Sequence, residues 1–337
     1  MNLNKCFIIA ELSANHGGEL DIALETIRAA KRAGADCIKL QTYTADTITI
    51  DSEKNDFLIK GTIWEGRKLH DLYKEAYTPW VWHKKLMDVA KEEGLICFSS
   101  PFDKSAVDFL ESLNVPAYKI ASFEITDIPL IEYVASKGKP IILSTGIAEE
   151  ADIELALDAC RRMGNNDIAL LKCTSSYPAP IEEANMSMVK DLAERYNVIS
   201  GLSDHTIGST VPIVATCFGA KIIEKHFILD RTIGGPDASF SMNEQEFKSM
   251  VTAVRETEKA IGVINYTLTK KQLKGKDFSR SLYVVENIKN GDLITEKNIR
   301  SIRPGFGLHP KYYNKVLGKK VKRNLEKGDR LKLIDLE

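Results

Sequence analysis

Two histidines stand at the ends of neighbouring apolar runs, His205 in Ser203-Asp204-His205 and His226 in Glu224-Lys225-His226. Imidazoles on adjacent strand ends can share one divalent cation, with water and a carboxylate completing the shell. Lys39 and Lys119 interrupt two other apolar runs, Cys37 to Gln41 and Tyr118 to Ala121. A buried lysine either pairs with a carboxylate or faces an anion. Ser100, Ser122, Ser144 and Ser203 each end an apolar run. Hydroxyls and backbone N–H groups would shape a phosphate and carboxylate cradle around the two ammonium groups. A Schiff-base aldolase would also use a buried lysine. Two lysines and four hydroxyls favour anion binding over imine chemistry. Glu11 closes the first run, and a carboxylate there needs a partner. Gln41, two residues after Lys39, shares its face. Asp237, in Gly234-Gly235-Pro236-Asp237, follows the last run. His16, His70, His83 and His309 show no comparable pairing and read as surface or loop residues. The pair Gly17-Gly18 would let backbone approach a ligand.

These residues need elements that bring them together. Eight apolar runs, each followed by a stretch of helical periodicity, fill residues 1–262. Asp21 to Gly34 has apolar residues at Ile22, Leu24, Ile27, Ala30 and Ala33, and ends at glycine. Trp82–Gly94, Lys104–Asn114, Ile128–Gly138, Ala151–Gly164, Met186–Tyr196, Val211–Gly219 and Glu244–Gly262 read similarly. The nearly continuous apolar runs suit parallel strands buried on both faces. The pattern predicts a (β/α)8 barrel, whose strand C-termini would gather the candidate residues at one mouth. A doubly wound open sheet fits less well, since no GxGxxG follows the first run. A long insertion, residues 43–79, carries Phe57, Trp64, Tyr73 and Tyr77 and is placed to shape specificity.

Residues 263–278 read as a linker. From Ser279 the pattern changes to short alternating runs with turn signals at Asn290-Gly291 and Lys327-Gly328-Asp329. A small β-rich domain is expected over 279–337. The formal net charge of the chain is −1, but residues 1–262 carry 28 Lys/Arg against 39 Asp/Glu, and residues 263–337 carry 18 against 8. The halves are thus −11 and +10. A basic tail without an aromatic platform does not suggest nucleic-acid binding, and fits an acidic surface or an anionic ligand better. Six cysteines without CxxC spacing read as apolar fillers in a reducing cytoplasm. No run of 18 apolar residues exists, so no membrane span is expected.

The ordered motifs resemble the sialic acid synthase family over the whole chain. They include Asn15-His16-Gly17-Gly18, Lys39-Leu40-Gln41-Thr42, Ser99-Ser100-Pro101-Phe102 and Lys119-Ile120-Ala121-Ser122-Phe123-Glu124. Leu143-Ser144-Thr145-Gly146, Tyr177-Pro178-Ala179-Pro180, Gly201-Leu202-Ser203-Asp204-His205-Thr206, Glu224-Lys225-His226-Phe227 and Gly235-Pro236-Asp237 continue the series. The resemblance implies a phosphoenolpyruvate-dependent barrel with a C-terminal antifreeze-like (SAF) domain. It implies Mn²⁺ or Mg²⁺ on His205 and His226, with Glu11 reaching the metal through water. Lys39, Ser100, Lys119, Ser122, Ser144 and Ser203 would bind phosphoenolpyruvate. Gln41, Glu124, Tyr177 and Asp237 would meet an acetamido sugar, joined from the tail by Arg303 and Phe278. Glu124 is the candidate for proton transfer. The resemblance also implies a domain-swapped homodimer. Lys172 and Ser175, with Thr62 to Gly66, fit the branch acting on 2,4-diacetamido-2,4,6-trideoxy-L-altrose; neuraminate and legionaminate synthesis are the alternatives.

Overall fold

A computed structural model describes residues 3–337. Residues up to Gly262 form one compact unit and Val263–Glu337 a second. The first is a closed barrel of eight parallel strands in sequence order. The strands are β1 Phe7–Glu11, β2 Cys37–Thr42, β3 Ile96–Pro101, β4 Tyr118–Ile120, β5 Ile141–Ser144, β6 Ile168–Cys173, β7 Ile199–Asp204 and β8 Ile222–His226. The expected barrel is therefore observed. Its helices are α1 Leu20–Arg32, α2 Ala45–Ile48, α3 Leu69–Ala76, α4 His83–Glu92, α5 Lys104–Ser112, α6 Ile128–Ala135, α7 Glu150–Arg162, α8 Ser187–Tyr196, α9 Thr210–Cys217 and α10 Glu244–Ile261.

The helices form where apolar spacing and caps agree. In α1, Ala23, Leu24, Ile27 and Ala30 turn inward, and Gly34 takes φ +92° just past the end. Asp103 and Asp127 accept backbone N–H bonds at the starts of α5 and α6, satisfying donors that a first turn leaves free. The layer between strands and helices is apolar, built from residues such as Ile8, Ile38, Leu40, Val189, Ile223 and Phe247. Ile9, Phe98, Ile142, Leu171 and Ile222 fill the barrel interior. Because strand side chains alternate, Ile8 and Ala10 face the helices while Ile9 and Glu11 face inward. The polar residues at the strand ends thus sit above an apolar plug.

Two of the histidines read as surface or loop residues are buried, His16 in the loop after β1 and His83 at the start of α4. His16 is 1% exposed and His83 0%. His83 Nε2 lies 2.8 Å from Thr42 Oγ1, which lies 2.7 Å from Ser99 Oγ. His16 Nδ1 accepts from Gly18 N at 3.0 Å. His16 also packs edge-on against Trp82. Gly17 and Gly18 are exposed and take φ of +55° and +77°. They turn the chain toward α1. Burial holds both imidazoles down, to a pKa of about 4. The unfolded chain would bind protons below about pH 6.5 that the folded barrel refuses until about pH 4. Stability should be full above pH 6.5 and fall as the pH drops toward 4. Urea unfolding between pH 7.5 and 4.5 checks this. His83→Gln should flatten part of the acid slope, and an unchanged slope would reject the assignment.

In the second unit the segment expected as a linker contains a short helix, α11 Lys270–Gly275. Beyond it, β9 Ser281–Val284 and β10 Ile299–Ile302 pair antiparallel, and α12 spans Tyr313–Val316. Single bridges such as Ile288 to Leu325 and Val321 to Leu336 complete the β-rich fold. Its core is separate, with Leu282, Val284, Ile294, Ile299, Val316 and Leu331. Among the described residues no helix is long and apolar enough to cross a membrane. All six cysteines are free, and five are buried.

Candidate active site

Register brings the candidate residues together. Glu11 pairs laterally with Lys39 on one side and His226 on the other. Ser203 stands beside Glu224, and Gln41 beside Ser100. Lys39 forms a buried ion pair with Glu11 and donates to Ser100 Oγ at 3.2 Å. Gln41 Nε2 donates to Glu11 Oε1 at 3.1 Å and to Ser13 Oγ at 3.0 Å. Ser13 in turn bonds Asp237. Lys119 Nζ donates to the Ile120 carbonyl at 3.2 Å.

Glu224 is the residue that sequence reasoning missed. Its Oε1 lies 3.6 Å from both Lys39 Nζ and Lys119 Nζ, and Ser203 Oγ donates to it at 3.3 Å. Burial opposes its charge, but Lys119 and Lys39 outweigh that and hold its carboxyl below the ordinary range. The position two residues before His226 on one strand was the available signal, because both must then face inward. Two ammonium groups thus face two carboxylates, Glu224 between them and Glu11 on Lys39, although burial raises the Glu11 carboxyl to about 7 against the pull of Lys39. An anion entering this basin would be received by two desolvated cations.

The opposite rim is a hydroxyl cradle. Ser144 Oγ and Ser175 Oγ are buried without a hydrogen-bond partner among the described residues. Ser122 Oγ accepts from Gly146 N at 3.2 Å. A Cβ on Gly146 would stand 2.1 Å from Ser175 Oγ and 2.7 Å from Ser122 Oγ, so only glycine fits between them. Lys172, beside this rim, bonds the Cys173 carbonyl at 2.6 Å. Glu124 is half-buried, with Oε2 unpartnered among the described residues, and burial pushes its carboxyl up to about 7 against the pull of Lys119. A carboxyl near neutrality can both give and take a proton.

His205 and His226 have ring centroids 5.4 Å apart. His205 Nδ1 lies 2.9 Å from the Thr174 carbonyl, so that nitrogen carries a hydrogen; although burial opposes its charge, the Cys173 thiol and the Thr174 carbonyl raise its pKa, and the neutral ring would offer Nε2 as a ligand. Burial, reinforced by nearby positive charge, holds His226 well below its ordinary value and hence neutral. Its Nδ1 has no hydrogen-bond partner among the described residues, although Asp237 Oδ2 lies 3.6 Å away. Among the described residues no group of three His, Cys, Asp or Glu side chains converges as a ready metal cage. The donor set still fits a borderline divalent ion, since two imidazoles can be ligands and the remaining positions fall to water and substrate oxygens. Tyr177 covers the pair, its ring 4.3 Å from that of His205 and 6.5 Å from that of His226. Phe278 and Arg303 belong to the second unit, and both are exposed.

Comparison with known proteins agrees with this geometry. The NeuB family matches residues 26–266, and the SAF domain matches residues 279–337. A pseudaminic acid synthase of Campylobacter jejuni subsp. jejuni serotype O:23/36 is 49% identical, over 98% of this chain and 96% of the relative. A pseudaminic acid synthase of Helicobacter pylori is 48% identical, over 98% and 97%. An N,N'-diacetyllegionaminic acid synthase of Legionella pneumophila is 35% identical, over 97% and 93%. The crystal structure of an N-acetylneuraminic acid synthetase from Leptospira borgpetersenii, in complex with citrate, superposes with a TM-score of 0.72 at 32% identity. It covers 81% of this chain and 90% of that one.

Proposed function

The chain belongs to the NeuB family, the sialic acid synthases, and we propose that it is a pseudaminic acid synthase. It would condense phosphoenolpyruvate with 2,4-diacetamido-2,4,6-trideoxy-L-altrose, releasing phosphate. The observation that carries the choice of sugar is the 49% identity with pseudaminic acid synthases along almost the whole chain. The legionaminate enzyme is a more distant relative, at 35%.

The roles follow from the chemistry of each group. Lys39 and Lys119 would hold the phosphate and carboxylate of phosphoenolpyruvate. Ser100, Ser122, Ser144 and Ser203 would supply hydroxyl donors around it. As the anion enters, Lys39 and Lys119 would exchange part of their contact with Glu11 and Glu224 for it. Gln41, Tyr177 and Asp237 would orient the sugar. Bond formation between the phosphoenolpyruvate methylene carbon and the sugar aldehyde leaves positive charge at C2, where water adds before phosphate departs. Glu124 would move the proton at the new hydroxyl or at that water, because its carboxyl titrates near neutrality. Mn²⁺ or Mg²⁺ on His205 and His226 would supply Lewis-acid polarisation of the aldehyde. Glu11 would orient a water beside it.

We also propose that the +10 tail covers the −11 barrel of a second copy, as a domain-swapped homodimer. Arg303 and Phe278 would then reach the sugar from the partner. A cytoplasmic location fits five buried free thiols and the metabolic substrate. The test is a substrate panel. The protein with phosphoenolpyruvate is offered 2-acetamido and 2,4-diacetamido hexoses, and products are weighed by mass spectrometry. The diacetamido L-altrose should be consumed at least about ten times more efficiently than N-acetylmannosamine. Comparable turnover of the two would defeat the sugar assignment.

A further inference from the structure

The insertion after β2 carries one aromatic ring into the candidate site. Leu58 and Lys68 bridge antiparallel, and Ile59 N donates to the Arg67 carbonyl at 2.9 Å, so residues 58–68 form a small hairpin. Gly61 and Gly66, with φ of +69° and +84°, allow its tight tip. Trp64 sits at that tip and is half-buried, whereas its neighbour Ile63 is 52% exposed. The indole Nε1–H donates to the Pro236 carbonyl at 3.1 Å. That carbonyl immediately precedes Asp237, which bonds Ser13 beside Gln41. The Trp64 ring meets the Tyr177 ring with centroids 5.6 Å apart. Tyr177 in turn meets Phe240 at 5.2 Å, and Phe240 meets His226 at 5.0 Å. Three aromatic rings therefore form one continuous apolar row beside the two imidazoles.

We propose that Trp64 is a specificity-determining residue, and that its face contacts an apolar substituent of the sugar, an acetamido or deoxy methyl group. The inference rests on the proposed reaction and deepens it. The proposed anion cradle does not include this row: Lys39, Ser100, Lys119, Ser144 and Ser203 lie on strands, Ser122 lies just past β4, and the three rings come from loops. What the row offers is a flat apolar surface, worth little to a hydroxyl and much to a methyl group. A trideoxy diacetamido hexose presents three methyl groups and few hydroxyls. N-acetylmannosamine presents one methyl group, with hydroxyls at the positions the other sugar has modified. One methylene in such a pocket discriminates by roughly 10- to 200-fold. The hydrogen bond to Pro236 holds the indole in place before the sugar arrives and couples it to the loop that carries Asp237.

The experiment compares the full-length protein with Trp64→Ala and Trp64→Phe. It measures kcat and KM for phosphoenolpyruvate, for the diacetamido L-altrose and for N-acetylmannosamine. Trp64→Ala should raise KM for the diacetamido sugar by about 10-fold or more, leave KM for phosphoenolpyruvate within about 2-fold, and narrow the preference over N-acetylmannosamine. Trp64→Phe, which keeps a ring without the N–H, should retain most of the preference. Equal losses on both sugars, or a matching rise in KM for phosphoenolpyruvate, would assign Trp64 a structural role and overturn the proposal. So would an unchanged preference. The wild-type protein reports on the reaction independently. If it prefers another acetamido sugar, the sugar assignment fails, and the same comparison is read with that sugar as the preferred one.

Discussion

His226→Ala should abolish most of the activity, lowering kcat by at least about 100-fold while the barrel stays folded. Removing a group that merely orients a metal ligand typically costs 10- to 100-fold, so deleting a ligand costs no less. His226 is neutral, inward-facing and, among the described residues, unpartnered at Nδ1, which is a costly state for a buried imidazole unless the reaction uses it. The purified wild-type protein should lose activity on chelation and regain it with Mn²⁺, and metal analysis should find less than about one-tenth of the wild-type metal in the variant. Full activity of His226→Ala in a metal-free buffer would reject the two-histidine site. A melting curve within a few degrees of wild type would show that the loss is local.

Truncation after Gly262 should have an effect of similar size. The two units have separate cores, so the barrel should remain folded. It should nevertheless be nearly inactive, because no cover would exclude water from a reactive cationic intermediate, and the fixed charge of Arg303 would be gone. The proposed swapped arrangement makes a sharper forecast. His226→Ala and Arg303→Ala are each expected to be inactive, yet mixing them should restore partial activity. In a heterodimer, one mouth combines an intact barrel with the intact tail of the other chain. If the subunits exchange and no activity returns, the tail acts on its own barrel or has no part in the reaction.

Much of this site was legible in the sequence because its logic is periodic. Parallel strands buried on both faces are apolar throughout, so a lysine, glutamate or histidine that interrupts one is conspicuous. Glu11, Lys39, Lys119, His205 and His226 stood out in that way, and the helices between them ended at glycines that φ angles such as +92° at Gly34 explain. Glu224 was equally visible as a residue but was read only as part of a motif. Its role depends on Lys39 and Lys119, which come from strands far away in sequence. The burial of His16 and His83 was not legible, because one lies in a polar loop and the other at the first turn of α4. Their burial comes from contacts with Trp82, Thr42 and Ser99 that no local pattern encodes.

The sequence by itself determined the barrel, the small second domain and the kinds of chemistry at the mouth, because strand alternation and helix periodicity are local properties of the chain. Only the tertiary structure decided which charges neutralise which. It put Glu224 between two ammonium groups, left Ser144 and Ser175 without hydrogen-bond partners among the described residues, and carried Trp64 to Pro236, 172 residues away. Such pairings are fixed by strand register and by how a long insertion folds back, and both are set by the closure of the whole barrel and not by any segment of it.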